Sequence, residues 1–460
     1  MADEGSRGES LSNVDSAWLR MEDPTNLMTI TALLTFEQKV EFARLKAVIE
    51  DKLLLHDRFR QRVVESRIPF VKPRWEEDDH FALKAHLRRM ALPYPGDQGT
   101  LQETVSELMS TPLDYSKPLW QFHLIENYGN GSALVARVHH CIGDGIALVK
   151  LMFTLVSEEP DRATGRRVEA AVPTPAVRTG RRPRGTLLDA GLDAVVNPSR
   201  VVELARNSAS AVGELGKLLL LSSDPHTVFK GKLGVTKRAA WSEAIALSDV
   251  KACSKRLGAT INDVLLTAVT GALRTYMLGR SKVEDGLAIR AVVPVNLRTE
   301  EELDQLGNRF GLVFLALPVG TEGPLDRLRA LKEEMDALKE SPQAIVAFGV
   351  LNAMGMASPE IEGIGVSIFA RKATAVMTNV PGPQRQLYMA GVAIRDILFW
   401  VPQSGRLGLG VSILSYNGQV RLGIAADTGL VPDPAMIVTH FHDEFEELDR
   451  ISREHGTGTG

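Results

Sequence analysis

Apolar and polar positions along this chain follow two periods, and the switches between them mark out its elements. LMTITALLTF (27–36) is an apolar, β-branched run that predicts a strand. EQKVEFARLKAVIEDKLL (37–54) spaces its apolar residues three and four apart, as one face of a helix does. DSAWLRME (15–22) predicts a helix with Ser12 or Asp15 at its start. WQFHLIENYGNGSALVARVHH (120–140) reads as two strands around Gly129-Asn130-Gly131, and ALVKLMFTLV (147–156) as a helix.

The pattern lapses over 157–186, which holds seven arginines among prolines and no apolar period. After it, 199–221 places Val201, Leu204, Ala205, Val212, Leu215 and Leu219 on roughly one helical face. The second half resumes the mixture. TINDVLLTAVTGALRTYML (260–278) predicts a long helix. GLAIRAVVPVNLR, LGNRFGLVFLALPV, ATAVMTNVPGP and ILFWVP predict strands, and GLGVSILSYNGQVRLGIAAD a hairpin turning on Asn417-Gly418. The expected organisation is α/β: a first domain over 11–156, a linker with an amphipathic helix over 157–232, and a second domain over 233–454.

Length and composition narrow the function classes. A chain of 460 residues has room for two domains. A net charge of −4 gives no general attraction to nucleic acid. Two cysteines, Cys141 and Cys253, make neither a disulfide framework nor a Cys-rich zinc site, so a reducing compartment is expected. MADEGSRGES lacks the apolar core of a signal peptide, and no run of about 18 apolar residues occurs. The expected location is cytoplasmic, with peripheral contact to an inner membrane or lipid droplet as the widest extension. For that contact, the apolar face of 199–221 beside Arg162, Arg166, Arg167, Arg178, Arg181, Arg182 and Arg184 is weighed against a plain interdomain connector.

The chemistry concentrates where VARVHHCIGDGIALV (135–149) turns from strand to helix. Ten histidines serve the whole chain, and His139 and His140 stand side by side here. Strand alternation sends one into the sheet and the other into the loop. Gly143 and Gly145 allow a tight turn, and Asp144 can anchor it through a distant arginine, for which Arg298 of VPVNLR is the candidate. An unperturbed imidazole titrates near pH 6.5 and suits proton abstraction from a hydroxyl or thiol. The alternatives are weaker. HHxxxD is no zinc spacing, GxSxG is absent, and Cys141, adjacent to His140 on extended chain, points away from it.

HHxxxDG is the signature of the acyl-CoA-dependent acyltransferase superfamily, which includes chloramphenicol acetyltransferase, carnitine acyltransferases and peptide-synthetase condensation domains. Further motifs accompany it here: LSNVDSAWLRMED (11–23), PLDYSKPLWQFHLIE (112–126), GATINDVLLTAV (258–269), VPVNLR (293–298), LGNRFG (306–311), TNVPGP (378–383) and SYNGQVRLGIAADTGLVPD (415–433). In this series the chain resembles the bacterial wax ester synthase/acyl-CoA:diacylglycerol acyltransferases along nearly its whole length.

The resemblance implies two chloramphenicol-acetyltransferase-like domains, with mixed sheets flanked by helices and an active-site tunnel between them. It implies His140 as general base, with His139, Asp144 and Gly145 supporting the loop. Asn262 and Glu22 match family residues near the reaction centre; their plainer readings are a helix cap and a surface carboxylate. The co-substrate would be acyl-CoA, with no cofactor or metal, and the acceptor diacylglycerol or a fatty alcohol. A carrier-protein thioester as donor, or a non-catalytic lipid-droplet binding protein, are the competing readings. One position departs from the family pattern: many members carry Met-His where this chain has Met28-Thr29.

Overall fold

The computed structural model describes residues 8–65, 71–160, 220–298, 306–354, 356, 359–403, 405 and 407–456. The arginine-rich stretch, most of the 199–221 helix expectation and all seven named arginines lie outside the described residues.

The six-stranded sheet is built around two strands buried on both faces. In chain order its strands are β1 (Thr29–Phe36), β4 (Leu87–Met90), β5 (Trp120–Tyr128), β6 (Gly131–His139), β12 (Tyr388–Met389) and β13 (Val392–Trp400), arranged β12-β13-β1-β6-β5-β4; β2 (Gln61–Val64) and β3 (Arg74–Glu77) pair separately, and the short α3 (Leu83–His86) leads into β4. Every residue of β6 is buried, Ser132, Arg137 and His139 included. Leu134, Ala136 and Val138 face a core that includes Leu45 and Ile49 of α2 (Phe42–Lys52) and Leu148 and Leu151 of α5 (Gly145–Leu155). Ala133 and Val135 face the other way, toward Ala239, Trp241 and Trp400. The β5–β6 turn is tight, and Gly129 takes a φ of 54° that favours glycine there.

The second sheet has seven strands: β7 (Lys237–Trp241), β8 (Ile245–Ala246), β9 (Ile289–Asn296), β10 (Phe310–Leu317), β11 (Ala375–Pro381), β14 (Leu409–Tyr416) and β15 (Gln419–Asp427). Its order is β10-β9-β11-β14-β15-β7, with β8 also on β15, and it mixes parallel and antiparallel pairs. The β14–β15 turn falls at Asn417-Gly418, both with positive φ, as the hairpin signal predicts. Helices α6 (Leu247–Arg256), α7 (Ile261–Leu278), α8 (Pro324–Lys339), α9 (Gln343–Met354) and α11 (Pro434–Gly456) belong to this half, with α10 (Pro359–Ala370) after α9. Strand β7 lies at the sheet edge against α4 (Gln98–Met109), where Ser106 Oγ and Ser110 Oγ accept the amides of Ala239 and Lys237 at 2.9 and 2.8 Å. Side-chain hydroxyls thus satisfy donors that an open edge would leave free.

A split of the chain at 232/233 does not divide the sheets. Strands β12 and β13 lie in the second half of the sequence yet extend the first sheet, with β13 running antiparallel to β1 from Thr31↔Trp400 to Phe36↔Ile394. β1 is buried along almost its whole length and lies inside the sheet, with β6 on one side and β13 on the other.

Candidate active site

The site forms where β6 ends. His139 is the last residue of the strand and fully buried, while His140 lies just beyond it, at 5% exposure. Both ends of the His140 backbone are held: its amide donates to Met28 O at 2.8 Å, and its carbonyl accepts from Asn308 Nδ2 at 2.7 Å. Its Nδ1 is buried without a hydrogen-bond partner. The imidazole stacks on Trp18 of α1 (Asn13–Arg20), with centroids 4.1 Å apart and planes inclined by 17°, and tilts against Phe310 at 5.6 Å.

His139 does different work. Its Nδ1 accepts the Cys141 amide at 3.1 Å, which places the proton of the neutral ring on Nε2. That nitrogen faces Tyr115 Oη at 3.1 Å and the Glu22 carboxylate at 3.5 Å. Glu22 is no surface carboxylate: its side chain is 15% exposed, and Oε2 also accepts the Met28 amide. It therefore ties the entry of β1 to His139. Thr29 pairs in register with His139, and its hydroxyl is buried without a partner. Cys141 is buried, and burial pushes its thiol well up, so it packs as a protonated, apolar side chain.

Asp144 begins α5 as its N-cap, with Oδ1 accepting the Ala147 amide at 2.9 Å. Oδ2 receives Arg298 Nη2 at 2.7 Å and the Arg309 amide at 2.9 Å, so the expected Asp144–Arg298 pair is present and buried. The partner loop enters from the second half of the chain. Gly307 N donates to Ile142 O at 3.2 Å and Gly307 O accepts the Asp144 amide at 3.1 Å, a one-rung parallel bridge between Gly143 and Gly307. A Cβ at Gly143 would sit a tight 3.3 Å from that of Ala147, while Gly307 has a φ of 103°, a backbone conformation that favours glycine. Gly145 differs: a Cβ there meets nothing within 4 Å, so packing does not demand its glycine.

Asn308 extends the same loop to α1. Its Nδ2 donates to both His140 O and Asp15 Oδ1, the latter at 2.7 Å. Asp15 is not the cap of α1; Ser12 is, accepting the Asp15 amide at 3.0 Å. The Asp15 carboxyl is instead buried, and desolvation raises its pKa against the hydrogen bonds from Asn308. Asn262 is likewise not the cap of α7. Thr260 and Asp263 form a reciprocal capping box, leaving Asn262 Oδ1 to accept Asn379 Nδ2 of the TNVPGP segment at 2.8 Å. Trp18, Asp15, Asn308 and Phe310 lie inside quoted motifs, but their spacing gives no sign that they meet at His140.

Burial pulls the His140 pKa down to about 4, against the opposing pull of the Asp144 carboxylate. The ring is therefore a neutral base throughout the neutral and mildly acid range. We expect the acid limb of kcat/KM to lie near pH 4, whereas an unperturbed imidazole would cost about tenfold in rate by pH 5.5. For stability the sign is the opposite of a salt-bridged histidine. Between about pH 6.5 and 4 the unfolded chain binds a proton that the folded His140 does not, so stability falls as pH falls through that window. Urea midpoints measured at both ends of the window should drop less in His140→Ala than in the parent.

Among the described residues, no group of three or more His, Cys, Asp or Glu is placed to hold a metal ion. Nor is any described helix long and apolar enough to cross a membrane.

Comparison with known proteins matches this arrangement at three levels. Residues 11–265 match the family model of the wax ester synthase/diacylglycerol acyltransferase catalytic domain, and residues 306–449 match the model of the WS/DGAT C-terminal domain. A Mycobacterium tuberculosis protein named as a probable diacylglycerol O-acyltransferase, tgs2, is 29% identical over 454 residues, covering 95% of this chain and 98% of its own. The solved wax ester synthase/diacylglycerol acyltransferase of Marinobacter aquaeolei VT8 superposes with a TM-score of 0.70 at 23% identity, covering 97% of this chain and all of its own. The first condensation domain of the calcium-dependent antibiotic synthetase shares the fold at a TM-score of 0.63 and 15% identity, covering 98% and 97% of the two chains.

Proposed function

The chain belongs to the wax ester synthase/diacylglycerol acyltransferase family and is an acyltransferase; from that premise we propose that it moves a long-chain acyl group from acyl-CoA to the hydroxyl of diacylglycerol or a long-chain alcohol, with His140 as general base. The observation that carries the reading is the setting of His140: a neutral imidazole whose backbone is fixed from β1 on one side and from the 306–309 loop on the other. A base held in this way meets its substrate without reorganisation.

In the transfer, the acceptor hydroxyl gives its proton to His140 as its oxygen attacks the thioester carbonyl. The tetrahedral intermediate then collapses, and the departing thiolate takes the proton back from the imidazolium. One ester and one free CoA thiol form, and the protein carries no acyl group at any point. His139 and Glu22 hold the strand end, and Asp144 with Arg298 holds the turn, so neither carboxylate needs to touch the reacting atoms. Asn262 and Asn379, hydrogen-bonded to each other, are assigned to one wall of the acceptor path. Because such acceptors do not dissolve in water, the reaction takes place at a membrane or lipid-droplet surface, and the protein visits that surface peripherally.

Acceptor preference is tested by giving the purified protein labelled palmitoyl-CoA with equal amounts of hexadecanol and dioleoylglycerol, and separating the lipids. Labelled wax ester, labelled triacylglycerol or both are expected. Label remaining on CoA with both acceptors, but transferred when the same acyl group is presented on a carrier protein, would overturn the choice of donor. Cosedimentation with anionic lipid vesicles at low salt tests the surface, and protein left wholly in the supernatant would count against it.

A further inference from the structure

His140 packs against two aromatic rings from opposite halves of the chain. Trp18 lies face to face with it, Phe310 tilts against it by 48°, and the two aromatics touch each other with centroids 5.8 Å apart. Trp18 is 3% exposed, and its indole Nε1 is buried with no hydrogen-bond partner. An orphaned donor in the interior costs stability that a phenylalanine at the same place would not. What the indole offers in exchange is the most electron-rich face among the aromatic side chains, the best platform for a cation.

A cation is what the proposed reaction creates there. When His140 takes the acceptor's proton, a positive charge appears on a ring cut off from water, where charge is costly. The charged groups around it offer limited help. The Asp144 carboxylate is engaged by Arg298 and the Arg309 amide, Asp15 reaches His140 only through Asn308, and His139 is turned toward Tyr115 and Glu22. We propose that Trp18 is a positioning residue that stabilises the His140 imidazolium through its ring face, with Phe310 in a lesser part, and so makes the buried base effective in the transition state. This rests on the reading of His140 as the base. Electron and proton bookkeeping is unchanged: the hydroxyl proton sits on His140 while the new C–O bond forms, and returns to the thiolate as the C–S bond breaks.

The test compares Trp18→Phe, Trp18→Leu and His140→Ala for kcat, KM and melting temperature, on hexadecanol and on 2,2-difluorohexadecanol, whose hydroxyl is more acidic. Trp18→Leu should lower kcat on hexadecanol by about tenfold, the order expected of a desolvated cation–π contact, with KM for acyl-CoA unchanged. The loss should shrink on the difluoro alcohol, which asks less of the base. Trp18→Phe should lose less activity and melt no lower than the parent, because the orphaned N–H is gone. If Trp18→Leu does not fold, Trp18→Phe decides: reduced kcat at an undiminished melting temperature supports the proposal. Equal kcat in Trp18→Phe and parent, or equal losses on the two alcohols, overturns it and leaves Trp18 as packing. If His140→Ala retains full turnover, the general-base reading has failed, and the proposal falls with it whatever the Trp18 variants do.

Discussion

Asp144→Asn is expected to destabilise the protein by up to about 3–5 kcal/mol, because it takes the anion out of the buried Asp144–Arg298 pair while leaving the shape of the side chain intact. The side chain at 144 receives three donors: the Ala147 amide, the Arg309 amide and Arg298 Nη2. Asparagine can still cap α5 through its carbonyl, so the loss should come from the missing ion pair and not from the helix start. Adding Arg298→Met to Asp144→Asn should therefore cost less than the sum of the two single changes, since both act on the same buried contact. Activity should fall along with stability, because the turn that carries His140 is fastened to the 306–309 loop by the same contacts. Urea denaturation of the two single variants and the double variant checks this. An unchanged midpoint in Asp144→Asn together with lost turnover would instead give the carboxylate a direct part in the chemistry.

The second large effect is on rate. His140→Ala should lower kcat by about 10²–10⁴, the usual contribution of a positioned base, with the fold preserved. Preservation is expected because the His140 backbone, not its ring, makes the bonds to Met28 and Asn308. His139→Ala should be the milder change for turnover and the harsher one for stability. It deletes the acceptor of the Cys141 amide and leaves Tyr115 and Glu22 facing a hole. Initial rates and melting temperatures of the two variants side by side distinguish the roles. Equal rates in both would remove the distinction between a chemical and a structural histidine.

Local signals carried much of the fold. β1, the β5–β6 and β14–β15 hairpins, α5 and α7 follow from apolar runs, turn residues and helical spacing, because each is decided within about twenty residues. The Asp144–Arg298 pair was also accessible, as a buried acid in a tight turn calls for a cation. What stayed hidden depends on partners far apart in sequence. That β13 pairs with β1, and so crosses the expected domain division, is a choice among many apolar strands that no local pattern makes. Gly307 and Asn308 reach the turn that carries His140 across more than 160 residues, and Trp18 meets His140 across more than 120. The caps illustrate the same limit on a small scale. Asn262 and Asp15 each sit within reach of a helix start, yet Thr260 and Ser12 take the cap, freeing both side chains for contacts with the other end of the chain.

The central claim is direct transfer from the thioester to an alcohol, with His140 taking the proton. The most direct measurement follows acyl-labelled palmitoyl-CoA with and without hexadecanol, counting ester, free CoA thiol and label bound to protein, for the parent and His140→Ala. Direct transfer predicts ester and thiol in equal amounts from the parent only when the alcohol is present, no label on the protein in either case, and a rate lower by about 10²–10⁴ in the variant. Ester formation at the parent rate by His140→Ala, or labelled protein accumulating in the absence of alcohol, would contradict it.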